Sequence, residues 1–548
     1  MSTMESNWRR RSDRLVGWAA IAVWSVFFGV LGWKAATQPN ERSTYPAFVG
    51  GAEAWLARDN LYQPKHRVTG FRYGPAFAVS MIPLAVIPQW LGSLLWSWLN
   101  VVALLIGAWL LADWVLPGLE AGKWRAVFFL LLLPAAVRTL WSAQSNALVF
   151  ALVACAAAAI VNNRWWLAAL LLAIPVHIKV WPLAAGLLMC ACWPRQLIAR
   201  YAACLLAVGA APLLAADASY VLQQYRNWYA LLTGPALDRH IYRDAWTIWE
   251  VFWPPVNAQV YSLLQLASAL AVLAVCLWKA RQWRQGTSAD QQHSASPMLG
   301  SAAIGSNSSR TQQMVNKSPT AQSATQRQQS TSAYKAKLLT FILSMWAAWQ
   351  LTFGPGTERA TFGLVAPLNA WAILTAARQP CAPLLMVPAS LLMTLANSGE
   401  LERRLPDYPV VKAIHPLAVL AFAVWMCAFW VARAARSSQS GLLRPIGDQE
   451  IQQRKPIMLS CNKSTSSGDV TTPKAGTNTG SNRLLGDFLP TAEPARRQRV
   501  GQGSAHESTA LRFGPVAGST QRSGRRNRCT GGGAQSPPTV PAIVADGG

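Results

Sequence analysis

The chain alternates long apolar runs with short polar breaks through its first 434 residues. About 20 consecutive apolar residues are needed to cross a bilayer as a helix. Leu15 to Ala36 is the first run of that kind, and Arg9, Arg10, Arg11 and Arg14 stand ahead of it. By the positive-inside rule these arginines predict a cytoplasmic N-terminus. Further runs predict spans at 74–88, 91–113, 124–140, 146–161, 165–193, 197–215, 258–279, 338–353, 360–377, 381–397 and 413–434. Those at 74–88, 338–353 and 381–397 are short, so tilt or burial in protein must help them. The run 165–193 has Pro175, His177 and Lys179 in its middle and is long enough for two short helices. Read as two, it gives thirteen spans and an external C-terminus; read as one, it gives twelve and an internal one. Residues 435–548 hold fifteen Lys and Arg against seven Asp and Glu, which favours the cytoplasm and therefore twelve.

Twelve spans leave 37–73, 114–123, 216–257, 354–359 and 398–412 on the outer face. The expected organisation is a basic cytoplasmic N-terminus over 1–14 and a transmembrane domain over 15–434, with outer loops 37–73 and 216–257. A cytoplasmic loop over 280–336 and a basic cytoplasmic tail over 435–548 complete it. Residues 285–333 and 437–548 are rich in small polar residues and poor in large apolar ones, so both are expected to be disordered.

Composition supports a membrane chain. Only 13% of residues are charged while 52% are hydrophobic, and Trp occurs 27 times among the 548 residues. An ordinary soluble domain carries roughly a quarter charged residues. The formal net charge of +26 resides largely in the N-terminus and the polar appendages. Anionic cytoplasmic lipid is the partner such charge suits; no nucleic-acid fold is present in the sequence to suggest nucleic acid instead. The nine Cys are scattered and lack zinc-ligand spacing, so neither a disulfide framework nor a metal site is expected.

Candidate chemistry concentrates on the predicted outer face. Residues 46–58 place Phe48, Ala52, Trp55 and Leu56 at helical spacing, which predicts a short amphipathic helix in the outer interface. Arg72-Tyr73-Gly74-Pro75 puts a cation and a phenol at the mouth of the next span. Arginine offers paired donors to phosphate oxygens, so this element suits a lipid phosphate as well as a simple snorkelling role. Gln144 and Asn146 interrupt apolar runs, as do His177 and Lys179. Polar groups inside spans either bond neighbouring helices or line a cavity. Loop 216–257 interleaves aromatics with charges, a composition that suits sugar faces and hydroxyls. Glu358 and Arg359 close a tight external turn as an adjacent acid and base.

The order of these elements resembles glycosyltransferase family 87, a membrane group with the GT-C fold. The family pattern has its counterparts here in Asn60-Leu61-Tyr62, Phe71-Arg72-Tyr73-Gly74-Pro75, Ala143-Gln144-Ser145-Asn146 and Lys179-Val180-Trp181-Pro182, and the resemblance extends over about residues 15–434. It implies an all-α, polytopic, GT-C-like bundle of about twelve transmembrane helices in the cell membrane. It further implies a hexosyltransferase, often a mannosyltransferase, acting on the non-cytoplasmic face. The donor would be a polyprenyl-phosphate sugar and the acceptor a glycan or lipid, with no cofactor or metal. In such enzymes an acid of the first outer loop deprotonates the acceptor. That acid's position falls near Ser43 or Thr44 here, with Glu41 just upstream and Glu53 and Asp59 downstream. Glu41 and Asp59 are the catalytic candidates carried from the resemblance; Arg72, Tyr73, Gln144, Asn146, Lys179, Glu358 and Arg359 are the substrate-binding candidates. A chain lacking a working acid would instead be a catalytically silent lipid-phosphate-binding scaffold, and a transporter of lipid-linked substrates would show internal repeats.

Overall fold

The computed structural model describes residues 2–63, 70–119, 122–234, 242–254, 257–295, 319–354, 356–377, 387–392, 394, 404–405 and 410–439. All of these fall in the unit Met1–Gln452, and the unit Gln453–Gly548 lies outside them. The architecture is all-α. Among the described residues the only strand-like pairing is an isolated antiparallel bridge between Tyr242 and Glu358.

The helices that organise the bundle follow in chain order among the described residues. They are α1 (Ser2–Thr37), α2 (Tyr45–Leu56), α3 (Pro75–Ala85), α4 (Gln89–Trp114), α5 (Lys123–Trp141), α6 (Asn146–Val161), α7 (Trp165–Ile178) and α8 (Pro182–Cys192). The remainder are α9 (Pro194–Ala210), α10 (Ala218–Thr233), α11 (Ala245–Phe252), α12 (Ala258–Ala295), α13 (Pro319–Thr352), α14 (Ala366–Ala376) and α15 (Val410–Gln439). Among the described residues six stretches, Arg11–Thr37, Gln89–Trp114, Lys123–Trp141, Pro194–Leu214, Ala258–Gln285 and Val410–Trp430, are long and apolar enough to cross a membrane. They mark an integral membrane protein. Their exposed faces carry Leu, Val and Trp, as surfaces facing lipid do.

Small residues allow the closest helix contacts. A side chain at Gly107 of α4 would stand 2.7 Å from the Cα of Ala151 in α6, and the flanking Ala154, Ala157 and Ala158 are buried. Without a hydrophobic drive between helices in lipid, such backbone approach supplies the packing energy. At the far end of α6 the buried Lys335 donates to Asn163 Oδ1 at 2.5 Å and to the carbonyl of Ile160 at 3.4 Å, opposite the negative end of the helix.

Contacts between elements define two ends of the bundle. Lys34 reaches the carbonyl of Trp141, Asn40 accepts from Gln89, and Tyr45 donates to the carbonyl of Leu84. These meet at what we call the α2 end. At the opposite end Gly122 stands beside Asp13, and Thr340 donates to the carbonyl of Val115.

This arrangement corrects four expectations. The described residues of loop 114–123 share an end with Asp13, not with 37–73: Gly122, at the start of α5, stands beside Asp13 of α1, and α4 packs against α5. Run 74–88 is not a crossing: α3 has 11 residues, and both its ends meet residues of the α2 end. Run 165–193 is two helices, not one. Tip residue Lys179 is extended (φ −140°, ψ 140°), and Pro182 opens α8 where a missing N–H costs nothing. Finally, α12 runs to Ala295 and α13 starts at Pro319, so part of the stretch expected to be disordered is helical. Extending a helix already nucleated costs far less than starting one. Residues 296–318 and the tail from 440 onward lie outside the described residues.

Candidate functional site at the α2 end

The helix expected over 46–58 is α2, but its apolar face is buried in protein and does not rest in an interface. Phe48, Ala52 and Trp55 are buried, while Leu56 is exposed. Phe48 packs edge-on against Tyr73, Phe77 and Trp96, with ring centroids 4.8–5.3 Å apart. Gly51 is required there, because a side chain would stand 2.3 Å from the Phe71 ring. The Asn60-Leu61-Tyr62 element ties this aromatic roof down. Leu61 N donates to Gln224 Oε1 at 3.1 Å, and the Tyr62 hydroxyl donates to the carbonyl of Tyr73 at 2.9 Å. Burial pushes the Tyr62 hydroxyl above its ordinary pKa, which keeps it a donor.

Beneath the roof, two motifs a hundred residues apart meet. A side chain at Gly74 would lie 2.3 Å from the carbonyl oxygen of His177 and 3.2 Å from the Trp228 ring. Only glycine lets 73–75 cross the C-terminus of α7 this closely. The crossing brings the Tyr73 ring to 5.5 Å from Lys179 Nζ, within cation–π distance.

The third motif forms the turn between α5 and α6. Ala143 has φ +50°, a left-handed conformation in which glycine is the comfortable residue. Three donors hold it: Thr44 N reaches the carbonyl of Ser142 at 3.0 Å, Thr44 Oγ1 that of Ala143 at 3.1 Å, and Trp96 Nε1 the same carbonyl at 2.8 Å. Thr44, one of the two positions near which the resemblance sets an acid, is therefore a structural hydroxyl here. It is pinned to the turn that presents Gln144.

From that turn runs a chain of side-chain hydrogen bonds. Gln144 Nε2 donates to Glu358 Oε2 at 3.0 Å. Asn146 Nδ2 donates to Gln144 Oε1 at 2.7 Å. Lys179 Nζ donates to Asn146 Oδ1 at 2.7 Å. Gln144 and Asn146 are buried; Glu358 and Lys179, at the two ends, are half-buried. Glu358 is itself held in place. It caps the 3₁₀ turn Arg359–Val365 through a capping box with Thr361, pairs across the Tyr242 bridge, and follows Thr357, whose carbonyl accepts from Arg243 N at 2.7 Å.

Of the residues expected in the site, the structure thus brings together Tyr73, Gln144, Asn146, Lys179 and Glu358. Arg72 and Arg359 adjoin them in sequence, Arg72 exposed and Arg359 half-buried. Glu41 is exposed on the rim, 3.9 Å from Arg42. Asp59 lies on the flank toward α10, where its carbonyl accepts from the Tyr220 hydroxyl at 2.8 Å. Tyr220 feels burial as well, which lifts its hydroxyl to about 12. His177 bonds the carbonyl of Leu205 at 3.0 Å and serves the packing of α7 on α9. Thr44, Tyr62 and Trp228, which the motifs and loop 216–257 contain, support the site through contacts to backbone, and Trp96, unmarked in the sequence, joins them. Their functional atoms bond or touch backbone, which no spacing rule marks.

No curated protein matches the chain. The sequence model of glycosyltransferase family 87 matches residues 71–304. That stretch contains the Phe71–Pro75, Ala143–Asn146 and Lys179–Pro182 elements, but neither the first-loop acids nor Glu358. Over it, the chain that builds this roofed polar site is similar to glycosyltransferase family 87, as the order of its motifs implied, and glycosyl transfer is the general activity the match supports.

Proposed function

We propose that the protein transfers a hexose from a polyprenyl-phosphate sugar to a hydroxyl of a glycan or lipid acceptor at the α2 end of the bundle. The observation that carries this reading is the convergence of Tyr73, Gln144, Asn146, Lys179 and Glu358 under one aromatic roof, inside an otherwise apolar bundle. Buried polar groups in such a setting are expensive and are retained where a charged substrate is handled.

In this reading Arg72 and Lys179 face the phosphate. The acceptor oxygen attacks the anomeric carbon, the bond from that carbon to the phosphate oxygen breaks, and its electron pair leaves with the polyprenyl phosphate. The acceptor proton passes to a carboxylate of the first loop, Glu41 or Asp59. Such a base must come within about 3 Å of the hydroxyl, directly or through one water. Charge grows on the departing phosphate, and fixed cations stabilise it most when water is excluded. The α2 end is then the non-cytoplasmic side and both termini are cytoplasmic. About twelve crossings remain the proposed count: the second half of 165–193 takes the place of 74–88.

The test is transfer from a radiolabelled polyprenyl-phosphate mannose in membranes, comparing wild type with Glu41→Gln and Asp59→Asn. One of the two is expected to lose transfer while remaining folded. Full activity in both refutes the assignment of the base. A wild type that consumes no polyprenyl-phosphate sugar refutes the transferase reading in favour of a silent phosphate-binding relative.

A further inference from the structure

The hydrogen-bonded chain has a polarity that only its two ends can set. A carboxylate accepts and cannot donate, whereas an ammonium donates and cannot accept. Glu358 therefore forces Gln144 to present its amide nitrogen to the carboxylate and its oxygen to Asn146. Asn146 must then donate to Gln144 and turn its own oxygen toward Lys179. The distances of 3.0, 2.7 and 2.7 Å along the chain match this single orientation. Both amides are buried, so neither can trade its partner for solvent. At the far end, the Lys179 head is held between the Asn146 oxygen and the Tyr73 ring, 5.5 Å away. A free lysine head would sample many rotamers; this one is fixed, with N–H donors that Asn146 does not use.

We propose that Glu358 is a positioning residue: through Gln144 and Asn146 it fixes the Lys179 ammonium in place to bind an anionic phosphate headgroup. The proposal deepens the transferase reading and rests on it only for the identity of that phosphate. It assigns Glu358 a part different from that of a proton acceptor. The carboxylate is engaged by Gln144 and by the Thr361 backbone.

The test uses the full-length protein in nanodiscs, with Glu358→Ala, Glu358→Gln, Lys179→Met and the double variant Glu358→Ala/Lys179→Met. Binding of polyprenyl phosphate is read alongside kcat and KM for transfer, with thermal unfolding as the check on folding. A hydrogen bond to a charged group is worth about a factor of ten or more. Glu358→Ala is thus expected to weaken phosphate binding about tenfold. Glu358→Gln keeps an acceptor oxygen and recovers most of that loss. The double variant binds no more weakly than Lys179→Met alone, the non-additivity expected of two residues acting as one unit. Additive losses overturn the proposal. So does a Glu358→Gln variant that binds normally but has lost kcat, since that is the signature of a general base. Should Glu358→Ala fail to fold, Gln144→Met cuts the same chain and carries the same expectations.

If wild type neither binds polyprenyl phosphate nor transfers sugar, the transferase reading fails and the proposal is decided separately. The rate of Lys179 acylation by a small amine-reactive ester, followed by mass spectrometry, is then compared between wild type and Glu358→Ala or Gln144→Met. Faster labelling in the variants supports the positioning role; equal rates overturn it.

Discussion

Replacing Gly74 by alanine tests the junction on which the site depends. The new Cβ would stand 2.3 Å from the carbonyl oxygen of His177. Carbon and oxygen rest at about 3.2 Å or more in ordinary contact, so the two segments must part by about 1 Å. The obstacle is backbone at the end of α7, and no side-chain rotation relieves it. Overpacking of this kind costs about 1–3 kcal/mol. For a chain this long, unfolding entropy makes 1 kcal/mol worth only about 1 °C in Tm. Activity is far more sensitive, because a displacement of about 1 Å in a positioning element costs about 10²-fold. Moving 73–75 away from His177 also moves the Tyr73 ring away from Lys179. Gly74→Ala is therefore expected to unfold within a few degrees of wild type yet lose roughly 10²-fold in transfer. Thermal unfolding and the radiolabelled donor assay, run on the same nanodisc preparation, measure both. Wild-type transfer by a folded Gly74→Ala protein would refute the claim that this crossing assembles the site.

Ala143→Gly and Ala143→Val are expected to differ sharply. Glycine relieves about 1–2 kcal/mol of left-handed strain at φ +50° and loses a comparable amount in chain entropy and methyl burial, leaving Tm nearly unchanged; valine at that φ destabilises and lowers the yield of folded protein. Gly107→Leu should force α4 from α6, since its Cβ begins 2.7 Å from the Ala151 backbone, and size-exclusion profiles should show loss of the monodisperse species. Asp217 caps α10 and lies near Arg58; hydrogen bonds from Ser219 and the Tyr220 backbone hold its carboxyl below the usual carboxylate range. A depressed native pKa contributes stability above the ordinary carboxylate value that is lost as pH falls through the native one. Asp217→Asn should therefore flatten the acid limb of α10 protection in hydrogen exchange; an unchanged acid limb would remove this assignment.

Several features were legible along the chain because they depend on local composition. Apolar runs of membrane length predicted α1, α4, α5, α9, α12 and α15, and the spacing of Phe48, Ala52 and Trp55 predicted α2. Gln144, Asn146 and Lys179 stood out because polar groups within apolar runs carry a solvation cost that needs a reason. The motif order around them led to the family whose model matches 71–304. Hydropathy does not record which way a run travels, however. It read α3 as a crossing and 165–193 as one crossing, because a short buried helix and a hairpin of two helices are as apolar as a true span.

By itself, then, the sequence determined that this is a helical membrane protein with a few polar residues placed where lipid would not tolerate them idle. Only the tertiary structure decided that Glu358, more than two hundred residues from Gln144, completes a directed chain ending at Lys179, while Glu41 and Asp59 flank it. Apolarity belongs to each residue and accumulates along a run. A hydrogen bond belongs to a pair, and its partner is known only when packing has brought distant backbone together: Gly74 against His177, and Thr44 against the turn at Ala143.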